Sequence, residues 1–300
     1  MAPPHTTALL PLLLALALRS VAASGALGVD LGSESSLVAT ARRGGIDVLV
    51  NEASRRSTLS VVGFDARQRL HGQDAAAQQV RSPHDCVADV KGLLGKRRLE
   101  AAKRALRRPC PELVSGESAD SPPLLEVQLR GEARRFSATQ LLALLLHRLQ
   151  RSAEREAGEP ITECTIAVPL HFGSAQRRAV LDAAEIAGLK SCRLISDGAA
   201  AALDYALGRP QLPKDTDHHV AFVDAGHAGV QVCIVRVRSE SLHILGHAYA
   251  PDAGGAVRGI LSHSAHAQLP DPSARDDHTT NQDLFCTAAS AASEANVNSS

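Results

Sequence analysis

Two short turns carry the residue types best suited to chemistry. Asp30-Leu31-Gly32 and Asp224-Ala225-Gly226 each fall between a first and a second strand-like segment, in two halves of the chain that open alike. A glycine lets the backbone turn tightly, so that its amide groups come close to phosphate oxygens. An aspartate at a strand end can hold a magnesium ion through the ion's water shell. A single turn of this kind signals little beyond a hairpin. Two of them facing each other would grip a polyphosphate from both sides.

The elements that must place these turns can be read from periodicity. The first half reads as an antiparallel meander with strands at 26–30, 36–41, 46–50 and 58–64, divided by Gly, Ser, Asn and Arg. Residues 72–108 read as largely helical, with the basic stretch 96–108 as a solvated helix face, 109–123 as a loop and 124–130 as a strand. Ser137-Ala138-Thr139-Gln140 predicts a capping box, and Leu141, Leu142, Leu145, Leu146 and Leu149 predict the buried stripe of a helix that Gly158 and Pro160 end. Strand 164–168, helix 174–187, strand 191–195 and helix 199–207 follow, an alternation that predicts parallel pairing in an α/β sheet. After the loop 208–218 the opening pattern returns, with strands at 220–224, 230–237 and 241–247. From about residue 259 the chain is too polar to offset the entropy of ordering, and a mostly disordered tail is expected over 259–300.

Composition removes several classes of function. The 300 residues are 44% hydrophobic and 21% charged, as in an ordinary globular chain of one or two domains. Lys and Arg number 32 and Asp and Glu also 32, so no long-range field of one sign recruits nucleic acid or an anionic membrane. Five Phe, two Tyr and no Trp argue against a base-stacking platform and require a core built from Leu, Val, Ile and Ala. A Leu/Ala run over 8–18, then small residues ending at Val21-Ala22-Ala23, predicts a cleaved signal peptide over 1–23 and entry into the secretory pathway. That run is shorter than the roughly 20 apolar residues that cross a bilayer, so no membrane span is expected after cleavage. Cys86, Cys110, Cys164, Cys192, Cys233 and Cys286 lack metal-ligand spacing, which argues against zinc. Cys164, Cys192 and Cys233 lie in apolar strand-like runs and read as small buried hydrophobes. An oxidising lumen would allow a Cys86–Cys110 disulfide, which spacing alone does not decide.

Four segments in order, VDLGSES (29–35), DVKGLLGK (89–96), TIAVPLHFGSAQRRAVLDAAEIAGLKSCRLISDGAAAALDY (165–205) and VDAGHAGVQV (223–232), resemble the ATPase domain of the 70-kDa heat-shock protein superfamily. VDLGSES, Ser54-Arg55-Arg56, the pair Ser196-Asp197 and the signal segment are most similar to its large endoplasmic-reticulum branch. The VDAGHAGVQV turn looks more like the cytosolic 110-kDa branch. The resemblance implies an α/β, actin-like ATPase (ribonuclease H-like) fold, with lobe I over 24–208, the first strands of lobe II over 209–258 and a divergent tail over 259–300. It implies ATP or ADP with Mg²⁺. Asp30, Gly32 and Ser33 would form the first phosphate loop, and Asp224, Gly226 and Gly229 the second, with Asp30 and Asp224 holding the metal through waters. Lys91 would orient the attacking water, Asp197 stands where the family usually has a glutamate near magnesium, and Pro169 matches a switch proline. No nucleophilic side chain is needed, because phosphoryl transfer to water rests on positioning and charge neutralisation.

Departures from the family pattern matter equally. Gly229 stands where the family carries threonine, and Gln231 where it carries a further catalytic carboxylate. A neutral amide is no base, so slow hydrolysis is expected. Glu34 and His227 set a carboxylate and an imidazole near the expected phosphates. The resemblance stops after Gly254-Gly255, which leads to the expectation of an incomplete second lobe and weak or absent ATP turnover. The implied function is ATP-regulated protein folding in the endoplasmic-reticulum lumen, as a nucleotide-exchange partner of the lumenal 70-kDa chaperone or as a holdase for unfolded client proteins. Two other readings stay open: a truncated gene product without independent activity, and an actin-like sugar kinase, against which the absence of a sugar-binding constellation counts.

Overall fold

The structure is a computed structural model that describes residues 26–256 apart from 43–44, 66, 107–109, 117, 119–120, 210–215 and 239–240. The expected signal peptide, the expected tail and Cys286 lie outside the described residues.

Strand β1 (Ala26–Asp30) buries Leu27 and Val29 and forms a hairpin with β2 (Ser35–Arg42), Asp30 opposing Leu37. Strands β3 (Gly45–Val48) and β4 (Ser57–Leu59) both pair antiparallel with β2. The meander is present to this point, but 58–64 is not one strand. Ser60 turns the chain: its amide donates to the Glu34 carbonyl at 2.8 Å and its hydroxyl to the Gly32 carbonyl at 2.8 Å. Beyond it β5 (Val61–Phe64), β6 (Arg69–His71) and, after helix α1 (Gly72–Arg81), β7 (Cys86–Ala88) make a separate antiparallel sheet of order β6-β5-β7.

The segment 72–108 is largely helical where it is described, but β7 interrupts it. Cys86 and Val87 are fully buried in a strand, and only the short helices α2 (Val90–Leu93) and α3 (Leu99–Ala105) follow. The expected loop 109–123 contains β8 (Glu112–Val114), which pairs with β9 (Leu124–Leu129). Strand β10 (Glu132–Ser137) completes that sheet and was not foreseen, because Glu132 to Arg135 point to solvent and show no apolar alternation. Its hairpin turns at Arg130 (φ 57°) and Gly131 (φ 78°), the positive-φ pair that matches the twist of the strands. Phe64 stacks on Phe136 at 5.1 Å and joins the two small sheets.

Helix α4 (Ala138–Ala157) begins with both bonds of the capping box, Gln140 N donating to Ser137 Oγ at 3.2 Å and Ser137 N to Gln140 Oε1 at 2.9 Å. It ends at Gly158 with φ 77°, and its five stripe leucines are all buried. Strand β11 (Glu163–Val168), helix α5 (Ser174–Ala187), strand β12 (Ser191–Ser196) and helix α6 (Asp197–Leu207) follow as the alternation requires. β11 pairs in parallel with β1 on one side and β12 on the other, giving the order β12-β11-β1-β2-β3. The core lies on the α4 and α5 side of this sheet, around Leu27, Val29, Leu142, Leu146, Ile166 and Val180.

β13 (His218–Ala225), β14 (Val230–Arg238) and β15 (Ser241–Ala250) form a third, antiparallel meander. Helix α6 covers one face of it, Ala202 packing with Cys233, Val235 and Val237. At the start of α6 a β-carbon on Gly198 would overlap the Cys233 sulfur, so the helix lies directly against β14. Cys86 and Cys110 carry free thiols, so the disulfide that spacing left open is not formed; Cys164 and Cys233 are buried and Cys192 half-buried. Among the described residues no helix is long and apolar enough to cross a membrane.

Candidate functional site

Three parallel strands end at the same edge of the main sheet. β1 delivers Asp30, β11 is followed by Pro169, and β12 is followed by Asp197 at the first position of α6. The crevice beyond the carboxyl ends of such strands is where α/β sheets place ligands. From the other side β13 ends at Asp224-Ala225 and turns through Gly226 and Gly229 into β14. A cleft of about 1230 Å³ lies between them, lined by Asp30, Gly32, Ser33, Lys91, Asp197, Asp224, Gly226 and Gly229. The two turns face each other, and every residue singled out from the sequence for catalysis, phosphate or metal lies on that wall. Pro169, Glu34, His227 and Gln231 lie there too.

Each turn is held by contacts that leave no room for a side chain. A β-carbon at Gly32 would overlap the Ser35 carbonyl oxygen, and the Gly32 carbonyl is fixed by Ser60, whose hydroxyl also meets buried Ser36 at 2.9 Å. In the second turn Gly226 N donates to Gly229 O at 3.0 Å. A β-carbon at Gly229 would lie 2.6 Å from the Tyr249 ring and 2.7 Å from the Ala250 carbonyl. The threonine of the family pattern has no space here. Gly254 and Gly255 close over the same turn, Gly255 N donating to Gly226 O at 3.0 Å. His227 Nδ1 approaches Glu34 Oε2 at 3.5 Å and so ties the second turn to the first.

The charges are concentrated. Lys91 donates from Nζ to the Leu31 carbonyl at 2.7 Å, which places its ammonium at the first turn. Burial raises the Asp30 carboxyl above its ordinary range, the carboxylates of Asp197 and Asp224 raise it further, and Lys91 opposes them. Burial likewise raises Asp197, with a hydrogen bond from Gln231 and the charge of Lys91 pulling back. Asp89, unforeseen, sits in the left-handed region at φ 51°; its carboxyl is raised by burial and held down by the Ser33 hydroxyl. His171, also unforeseen, stacks on Tyr249 with centroids 3.6 Å apart, and burial lowers it to about 4. Ser60, Asp89, His171 and Tyr249 were invisible in the sequence because each acts through a contact distant in the chain. Asp89, which opens the DVKG run, and His171, two residues past Pro169, each had a neighbour that could have drawn attention to it. The basic stretch is more than a solvated face, since Lys96 and Arg104 also line the cleft.

Among the described residues no group of three or more His, Cys, Asp or Glu could hold a metal directly. Asp30, Asp197 and Asp224 line the same cleft, and an all-oxygen set of this kind fits a hard cation such as hydrated magnesium better than zinc.

The Hsp70 protein family profile matches residues 26–259. Heat shock 70 kDa protein 14 of Arabidopsis thaliana is 38% identical over 229 residues, covering 76% of this chain and 27% of that protein. Heat shock 70 kDa protein 16 of the same plant is 34% identical over 230 residues, 76% of this chain and 30% of its own length. Heat shock protein hsp88 of Neurospora crassa is 35% identical over 243 residues, 79% and 34% respectively. The chain thus spans about a quarter to a third of the length of the curated relatives it matches.

Proposed function

This chain belongs to the Hsp70 protein family, and from that premise we propose that its cleft binds ATP or ADP and that it serves as an ATP-regulated chaperone with slow phosphate turnover. The observation that carries the reading is the convergence of both Asp-x-Gly turns, Lys91 and Asp197 on one cleft. The Gly32–Ser33 and Gly226–Gly229 turns line the space where phosphates would lie, and Lys91 supplies a fixed positive charge at the first turn. Magnesium, if it accompanies the nucleotide, would be held through water by Asp30 and Asp224 and would add to the charge neutralisation that Lys91 supplies. Lys91 positions the attacking water. Asp197 and Asp224 are both engaged by Gln231, and Gln231 accepts no proton, so the position where the family carries a further carboxylate supplies no base.

The relatives described above carry the names of plant and fungal heat-shock proteins. Within the family we assign the chain to the large branch and, on the signal-like segment 1–23, to the endoplasmic-reticulum lumen. Its partners there would be the lumenal 70-kDa chaperone and unfolded clients. Calorimetric titration with ADP and ATP tests the central claim: Asp224→Ala and Lys91→Ala should weaken binding or turnover, and a wild-type protein that ignores millimolar nucleotide would sink it. Co-purification with the lumenal chaperone, and amino-terminal sequencing that starts at Ser24, test partner and compartment.

A further inference from the structure

Gln231 reaches from β14 into the gap between the two halves of the cleft. Its side-chain nitrogen donates to Asp197 Oδ2 at 2.9 Å and to Asp224 Oδ2 at 2.8 Å. Both amide protons are therefore spent on carboxylates from different sides of the cleft, one at the start of α6 beyond β12 and the other near the end of β13. The orientation follows from chemistry, because turning the amide over would set its carbonyl against two carboxylate oxygens. In this orientation the Gln231 carbonyl oxygen is buried and has no hydrogen-bond partner among the described residues. A side chain that leaves its own acceptor unsatisfied while joining two acids is doing something the fold alone does not require.

A water bound to a cation would meet the same two acids in the same way, as one heavy atom with two protons to give. We propose that Gln231 takes the place of a cation-bound water between Asp197 and Asp224, so that the cleft binds its nucleotide with little dependence on magnesium. The inference rests on the nucleotide reading of the cleft. Charge on the phosphates still needs an answer, and the wall supplies it: Lys91, Lys96 and Arg104 all line the cleft. A carboxylate at 231 would reverse the arrangement. Three acids would then face one another with no proton donor among them, and a divalent cation would be required to hold them together.

The test has one arm without nucleotide and one with it. In the first, thermal melts of the apo protein are recorded in magnesium chloride and in EDTA. Wild type should melt alike in both, whereas Gln231→Asp should gain stability from magnesium; Gln231→Ala, which adds no charge, should show a smaller gain. A wild type that magnesium stabilises as much as it does Gln231→Asp overturns the proposal. In the second arm ADP is titrated in the same two buffers. Wild-type affinity should change less than about threefold and that of Gln231→Asp by about tenfold or more. Loss of tenfold or more by the wild type in EDTA also overturns the proposal. Should wild type bind ADP in neither buffer, the nucleotide reading falls, and the apo arm still decides whether Gln231 stands in for a hydrated cation.

Discussion

Replacing Gly229 by alanine adds one carbon where three atoms already stand. The new atom would lie 2.6 Å from Tyr249 Cε2, 2.7 Å from the Ala250 carbonyl oxygen and 2.8 Å from Tyr249 Oη. Ordinary contact begins nearly an ångström further out, so something has to move. The tyrosine cannot easily swing away, because its ring is stacked on His171 at 3.6 Å. The carbonyl belongs to β15, which is paired with β14 at Val230↔Ala250. Overpacking of this kind costs about 1–3 kcal/mol, and with ring and backbone both opposed we place Gly229→Ala near the upper end, about 2–3 kcal/mol. For a domain of this size that corresponds to a fall in Tm of roughly 4–12 °C. Gly246→Ala is the matched control: the same chemical change meets nothing within 4 Å and should leave Tm within about 2 °C of wild type. Calorimetric melts of the three proteins, with the Tyr249→Ala background added, separate ring from backbone. The double mutant should be less destabilised than the sum of its parts by about 1 kcal/mol. If Gly229→Ala melts with wild type, the close packing of the second turn is wrong, and with it the reason why threonine is missing there.

Ser60→Ala removes the hydroxyl that joins Gly32 to Ser36 and should cost about 1–3 kcal/mol in chemical denaturation while weakening nucleotide binding, since the first turn loses its anchor. Leu146→Ala, in the stripe of α4 at 1% exposure, should cost about 2–5 kcal/mol without altering affinity for ligand in the folded fraction. Stability should decline as pH falls from 6.5 towards about 4, because His71 and His171 are both lowered to about 4 in the folded protein and stay neutral while their unfolded counterparts gain a proton. The raised carboxyls of Asp30, Asp89 and Asp197 act in the opposite sense, binding protons more readily when folded, so they offset part of the loss at the acid end. Denaturant midpoints across that range check the sign, and His171→Phe, which keeps the stack on Tyr249, should flatten the curve.

Legibility in the sequence followed the range over which each residue acts. Helix α4 could be read almost to its termini, since the Ser137–Gln140 box, the leucine stripe and Gly158 are all local signals. The parallel strands β1, β11 and β12 followed from the strand and helix alternation, and with them the common edge that bears Asp30 and Asp197. β10 escaped because Glu132, Arg134 and Arg135 are held by backbone pairing with β9 rather than by burial. The break at Ser60 escaped because its cause lies in the first turn, at Gly32 and Glu34. The role of Gln231 was seen only as the loss of a carboxylate. That its amide would join Asp197 to Asp224 depends on how two separate sheets approach, which no spacing along the chain records.

The bare contact between Gly198 and Cys233 sets how near the third meander stands to the main sheet, because a β-carbon there would overlap the Cys233 sulfur and press on Leu170. Any larger residue would push β14 off the amino end of α6. Gln231 lies two residues from Cys233 on that strand, so the same displacement would stretch its reach to Asp197.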